Sequence, residues 1–269
     1  MITVKFTGGL GNQMFQYALG RRLSLDRKTE LSFDTSWYEK SPDRAFTLYN
    51  FQIAGKPMTK FEKIKRLFSA NIKEKSLFFD KKILSANNNS FLDGYWQSPK
   101  YFEDIEDILQ KDFTLKKPQG KKYDEMLRKI MFGNSVSLHV RRGDYLAVKN
   151  TQIYALCTSE YYVGAVNHIR EKTGDMQIFV FSDDTEWVKK NLKFNAPMFF
   201  VSEEHLADFQ ELMLMSACKH NITANSTFSW WGARLNKNPQ KIITAPQKWF
   251  AFPNEGNEKD LVPENWIRL

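Results

Sequence analysis

The chain predicts an α/β protein of two doubly wound halves facing a cleft, and three observations carry that expectation. It opens with a strand, a glycine loop and a helix: Ile2 to Phe6, then Thr7-Gly8-Gly9-Leu10-Gly11-Asn12-Gln13, then apolar residues at helical spacing from Met14 to Leu25. Its second half alternates short apolar strands with helical segments from Ser135 to Thr244. Between them lie a basic connector, Lys116-Lys117-Pro118-Gln119-Gly120-Lys121-Lys122, and a helix ending near Gly133. A boundary at 133/134 follows, with Rossmann-like domains at 1–133 and 134–269, and 269 residues are ample for both cores. Ligands of such an architecture lie at the carboxyl ends of the strands, between the halves.

After the first helix, Thr29 to Phe33 follows at the distance of a βαβ crossover and reads as a second parallel strand. Lys56 to Asn89 reads as helical, lysine-rich and irregular, closing in the polar turn Asn87-Asn88-Asn89-Ser90. A compact aromatic strand, Phe91 to Gln97, and a helix from Tyr101 to Gln110 complete this half. In the second half the strands are 135–140, 177–181, 198–201, 221–224 and 241–244. The helices between and before them are 160–172, 185–192, 208–218 and 227–235.

Apolar residues make up 42% and charged residues 26% of the chain, which describes a folded protein with a full core. Two cysteines, Cys157 and Cys218, show neither CxxC nor Cys/His spacing, so a reduced, cytoplasmic setting without a zinc site is expected. Because residue 2 already starts a strand, no secretory signal is expected, and no apolar run is long enough for a membrane span. The net charge of +8 raises nucleic-acid or anionic-membrane binding. In Lys60 to Phe68 one helical face carries Phe61, Ile64 and Phe68. That face is either a membrane-surface patch at the inner side of a cell membrane or a solvated helix packing its apolar side on the domain.

Three loops carry chemistry. His139-Val140-Arg141-Arg142-Gly143-Asp144-Tyr145 follows a strand and turns at Gly143, so its guanidiniums suit a phosphate or diphosphate. Alternatively Arg141, Arg142 and Asp144 form a structural ion-pair cluster. Ser182-Asp183-Asp184-Thr185 offers carboxylates that either cap the next helix or read the adjacent donors of guanine. Asn225-Ser226-Thr227-Phe228-Ser229 places hydroxyls and backbone N–H groups at a helix start, either as an N-cap or as an anion site. In the first half, Asn12 and Gln13 present two amides beside a helix N-terminus.

Taken in order, Gly8 to Tyr17, Gly94-Tyr95-Trp96-Gln97-Ser98 with Tyr101-Phe102, His139 to Tyr145, and Asn225 to Ala233 resemble the α-1,2-fucosyltransferases of glycosyltransferase family 11. The likeness runs to Ala245-Pro246-Gln247-Lys248-Trp249-Phe250 and is silent only over the basic middle, about 50 to 90. It implies a GT-B fold, GDP-β-L-fucose as donor substrate, a β-galactoside acceptor, inversion to an α-fucoside, and neither metal nor cofactor. It makes 134–269 the donor-binding domain and 1–133 the acceptor side. By the same resemblance Arg141 binds the donor β-phosphate, with Arg142 beside it, and His139 sits by the diphosphate or guanine. Asp183 or Asp184 reads guanine, Ser226, Thr227 and the N–H of Phe228 hold phosphate oxygens, and Gly11 and Asn12 approach the donor from the other domain. Asp144 is the first candidate for the catalytic base, or else a support for Arg142.

Two other classes stay open at this level. A nucleotide-dependent oxidoreductase would use the glycine loop and read ribose with Asp34, although Met14 stands where the dinucleotide fingerprint has its third glycine. A basic nucleic-acid or membrane-surface protein would use the lysine-rich middle.

Overall fold

The computed structural model describes residues 1–41, 43–146, 155–251 and 257–269, with the side chains of 65, 67, 144, 257 and 258 outside that description. The chain divides into two units, Met1–Lys117 with Lys259–Leu261, and Pro118–Glu258 with Val262–Leu269. The division falls at 117/118, ahead of the 133/134 boundary read from the sequence. The helix Lys121–Phe132 buries Tyr123, Met126 and Ile130 and packs on the helix Asp208–Ala217, so it belongs to the second unit.

The first unit is a five-stranded parallel sheet: β1 (Ile2–Lys5), β2 (Leu31–Asp34), β3 (Lys56–Pro57), β4 (Ala70–Lys73) and β5 (Ser90–Asp93), in the order β3-β2-β1-β5-β4. The helix Leu10–Asp26 lies against β1 and buries Met14, Phe15, Tyr17, Ala18 and Leu19. The middle differs from its helical expectation, because only Lys60–Lys65 is α-helical and both edge strands of the sheet come from this stretch. Edge strands are short and carry charge or proline to discourage further pairing, which hides the period-two pattern by which strands are recognised. β5 stops earlier than the expected strand to Gln97. The Glu74 carboxylate accepts the N–H groups of Tyr95 and Trp96 at 2.7 and 2.9 Å, drawing the chain out of the ladder.

The second unit has six parallel strands: β6 (Ser135–Val140), β7 (Gln177–Ser182), β8 (Met198–Phe200), β9 (His220–Ile222), β10 (Ile243–Ala245) and β11 (Ile267–Arg268). Their order, β11-β10-β9-β6-β7-β8, is the doubly wound 3-2-1-4-5-6 arrangement, counting from β6. Every residue of β6 is buried. Val136, Leu138 and Val140 share a core with Ile178, Val180 and Ile222, covered by Tyr162, Ala165, Val166 and Ile169 of the helix Ser159–Thr173. The winding direction reverses between β6 and β9, and there the loops leaving the two strands must part to opposite faces, opening a crevice at their carboxyl ends. Among the described residues no helix is long and apolar enough to cross a membrane.

Candidate active site

The loops singled out in the second half of the sequence leave the carboxyl ends of β6, β7 and β9, at that reversal point. β6 ends at Val140, and the next three residues are held by one carboxylate. Asp183 accepts the N–H groups of Arg142 (2.9 Å) and Gly143 (3.1 Å) and pairs with the Arg141 guanidinium at 3.1 Å. Glycine at 143 suits this clamp, because a Cβ there would lie 2.9 Å from an Asp183 oxygen and one of the two would have to shift. Arg141 keeps 25% of its side chain exposed, so the guanidinium is accessible from solvent.

Asp184 has a double task. Its Oδ1 caps the helix Thr185–Asn191 by accepting the Trp187 N–H at 3.1 Å, and its Oδ2 pairs with Arg142 Nε at 3.3 Å. The Arg142 guanidinium lies over the Trp187 ring, 4.1 Å from its centroid. A planar cation stacked and ion-paired in this way has lost most of its rotamer freedom before any ligand arrives. The ion-pair cluster read from the sequence joined the arginines to Asp144, whose side chain lies outside the description; the pairs observed are with Asp183 and Asp184, and they hold the two guanidiniums at a strand end.

His139 is buried and its ring centroid lies 5.6 Å from that of Phe228, which ties the β6 loop to the β9 loop. Burial, joined by the charge of Arg141, pushes His139 down to about 3, so the imidazole is neutral at physiological pH. Its Nδ1 has no hydrogen-bond partner among the described residues. Ser226 caps the helix Thr227–Arg234 through the Phe228 N–H at 3.4 Å, and the Tyr145 hydroxyl donates to the Asn225 carbonyl at 3.0 Å. The Asn225 side chain is buried and donates to the carbonyls of Ala155 and Trp249, fixing the entry to that helix. Two guanidiniums after β6 and a helix N-terminus after β9, the two loops joined by the His139–Phe228 contact, are each groups that stabilise an oxyanion.

In the first unit Gly11 lies buried within the helix Leu10–Asp26, whereas Asn12 is half-buried and accepts from the Gln97 amide at 3.1 Å. Gln13 differs from its expected role. It is fully buried, donating to the carbonyls of Gly8 and Ala45 and accepting from Thr47 and Leu48, so its amide serves the fold. Asp34, the ribose reader of the oxidoreductase reading, is buried against Arg66 at 3.0 Å and caps Ser36. The side chain of Asp144 lies outside the described residues. Trp187, Tyr145, Asn225 and Gln97 went unassigned in the sequence. Tyr145, Asn225 and Gln97 stand within the motifs that carry the family resemblance, and Trp187 lies three residues beyond a capping Asp.

Solved structures share the fold. NodZ from Bradyrhizobium, described as an α-1,6-fucosyltransferase and solved after soaking with GDP-fucose, superposes with a TM-score of 0.53 at 13% identity, covering 87% of this chain and 91% of that one. This likeness shows a fold of the GT-B type. Across residues 1–269 the sequence matches the profile Glycosyl transferase family 11. Among curated relatives, an α-1,2-colitosyltransferase of Escherichia coli is 34% identical, with 100% of this chain and 99% of that protein aligned. The O-antigen biosynthesis glycosyltransferase WbnK, also of Escherichia coli, is 30% identical with 98% of each aligned. The chain belongs to glycosyltransferase family 11.

Proposed function

We propose that the protein transfers L-fucose from GDP-β-L-fucose to the 2-hydroxyl of a terminal β-galactoside, with inversion, in the building of a surface glycan such as an O-antigen. The observation that carries the reading is Arg141, fixed by Asp183 at the point where the sheet reverses, with a quarter of its side chain exposed. Cleaving the glycosidic bond puts negative charge on the departing GDP, and a preorganised guanidinium stabilises that charge without a metal ion. Arg142 adds a second cation, while Ser226, Thr227 and the Phe228 N–H serve the phosphate oxygens. His139, being neutral, offers hydrogen bonding without a like charge beside Arg141.

Asp183 and Asp184 act chiefly by holding the arginines, since the bonds they already make compete with guanine. The second unit takes the donor and the first the acceptor, with Gly11 and Asn12 on the first unit's side. As C1 of fucose gains oxocarbenium character, the acceptor oxygen attacks from the face opposite GDP and gives up its proton to Asp144, three residues after Arg141.

The name of the 34% identical relative favours a second reading, in which the transferred sugar is colitose, the 3-deoxy form of fucose. Incubating the protein with GDP-fucose or GDP-colitose and a panel of β-galactosides, followed by linkage analysis, separates the two. Fucose in α-1,2 linkage is expected; transfer from GDP-colitose alone would replace the donor assignment. Arg141→Ala is expected to lower kcat by about 10²-fold or more while the thermal melt stays cooperative. Near-normal turnover in that variant would remove the phosphate role.

A further inference from the structure

We infer that Phe61, Ile64 and Phe68 form a docking face for an anionic lipid surface. The helix Lys60–Lys65 and the 3-10 turn Arg66–Phe68 lead into the edge strand β4. Positions i, i+3 and i+7 fall on one side of such a segment. That side is largely open to solvent: Phe61 is 64% exposed, Ile64 60% and Phe68 81%. Single exposed apolar residues need no explanation, but three on one short segment form a patch of the kind that partners cover.

The surrounding charge selects the partner. Lys56 to Lys82 holds nine basic residues against three acids, which is six of the net eight charges of the whole chain. Each of those acids is turned to backbone: Glu62 accepts from Thr59, Glu74 from Tyr95 and Trp96, and Asp80 from Lys82. Lys60, Lys63, Lys73 and Lys75 are exposed. Arg66 anchors the segment from beneath, paired with Asp34 and lying 3.8 Å over the Phe91 ring.

Exposed apolar side chains on a segment that also carries the exposed Lys60 and Lys63 match the acyl boundary and the anionic headgroups of a lipid surface together. A second copy of the chain would bring like charges face to face, which disfavours self-association through this patch. The contact is peripheral, because a six-residue helix reaches only the interface.

The test is flotation of the full-length protein with vesicles of phosphatidylcholine alone or mixed with phosphatidylglycerol, at low and high salt. Binding is expected only to the phosphatidylglycerol vesicles, weakening with salt and falling roughly five-fold for Lys60→Ser or Lys63→Ser. Phe61→Ser with Phe68→Ser is expected to cut it at least about ten-fold, with the circular dichroism spectrum and turnover on soluble acceptors unchanged. Absence of binding to the anionic vesicles at low salt overturns the inference. So does parental binding by the double Phe variant, or sedimentation showing a dimer which that variant converts to monomer.

Discussion

Asp183 organises the site at the scale of single residues, since one carboxylate fixes two backbone N–H groups and a guanidinium. Gly143→Ala tests that clamp. With a Cβ 2.9 Å from the Asp183 oxygen, either the turn or the Asp183 carboxylate must give, and either change disturbs the hold on Arg141. The expected outcome is a loss of turnover of roughly ten-fold or more with a stability change of about 1 kcal/mol, because misplacing a transition-state contact costs more than local strain at an exposed turn. Steady-state kinetics beside a thermal melt separates the two. The sequence announced Arg141, Arg142, Asp183 and Asp184 as chemically capable, but not that they pair crosswise, 183 with 141 and 184 with 142. Ion pairs between residues some forty positions apart depend on strand neighbours, and local spacing carries no record of them.

At the scale of elements, β6 was legible to the residue, with 135–140 in both the sequence reading and the structure. A buried parallel strand needs a nearly unbroken β-forming run and stops where charge begins, at Arg141. The edge strands β3 and β4 were not legible, because pairing with a neighbour, and not their own composition, makes them strands. β11, with two residues, exists only through β10.

The helix Asp208–Ala217 carries a testable charge. Burial raises Glu211 to about 7, and its carboxylate accepts the Ser202 hydroxyl at 3.1 Å, which in turn accepts the Ser182 N–H at 3.0 Å. With the folded value raised above the unfolded one, this group's stabilisation is complete below about 4.5 and is lost as pH rises through about 7. Glu211→Gln keeps the acceptor and removes the charge. Chemical denaturation should show the variant more stable than the parent at pH 8, by on the order of 3 kcal/mol at most, and nearly equal to it at pH 4.5.

At the scale of the whole molecule, the assignment of the helix Lys121–Phe132 to the second unit has an energetic consequence. Ile130 is fully buried, so Ile130→Ala should cost about 2–4 kcal/mol. The loss should fall on the second unit, which holds Trp187, Trp230, Trp231, Trp249 and Trp266. Tryptophan fluorescence on heating is therefore expected to report an earlier transition, whereas a helix belonging to the first unit would leave that signal in place.

The sequence by itself determined the family, the parallel α/β class and the strand-end loops that carry the cations and hydroxyls. Those depend on local period, on turn residues and on motif order, all of which are written along the chain. Tertiary structure alone decided the strand order that brings the β6 and β9 loops together, the crosswise clamping of the arginines, and the inward turn of Gln13. It also left Phe61, Ile64 and Phe68 exposed where the pattern allowed either a buried or an open face. The reason is physical: burial and pairing are properties of neighbours in space, and the same side chain is core, clamp or surface according to what the fold sets beside it.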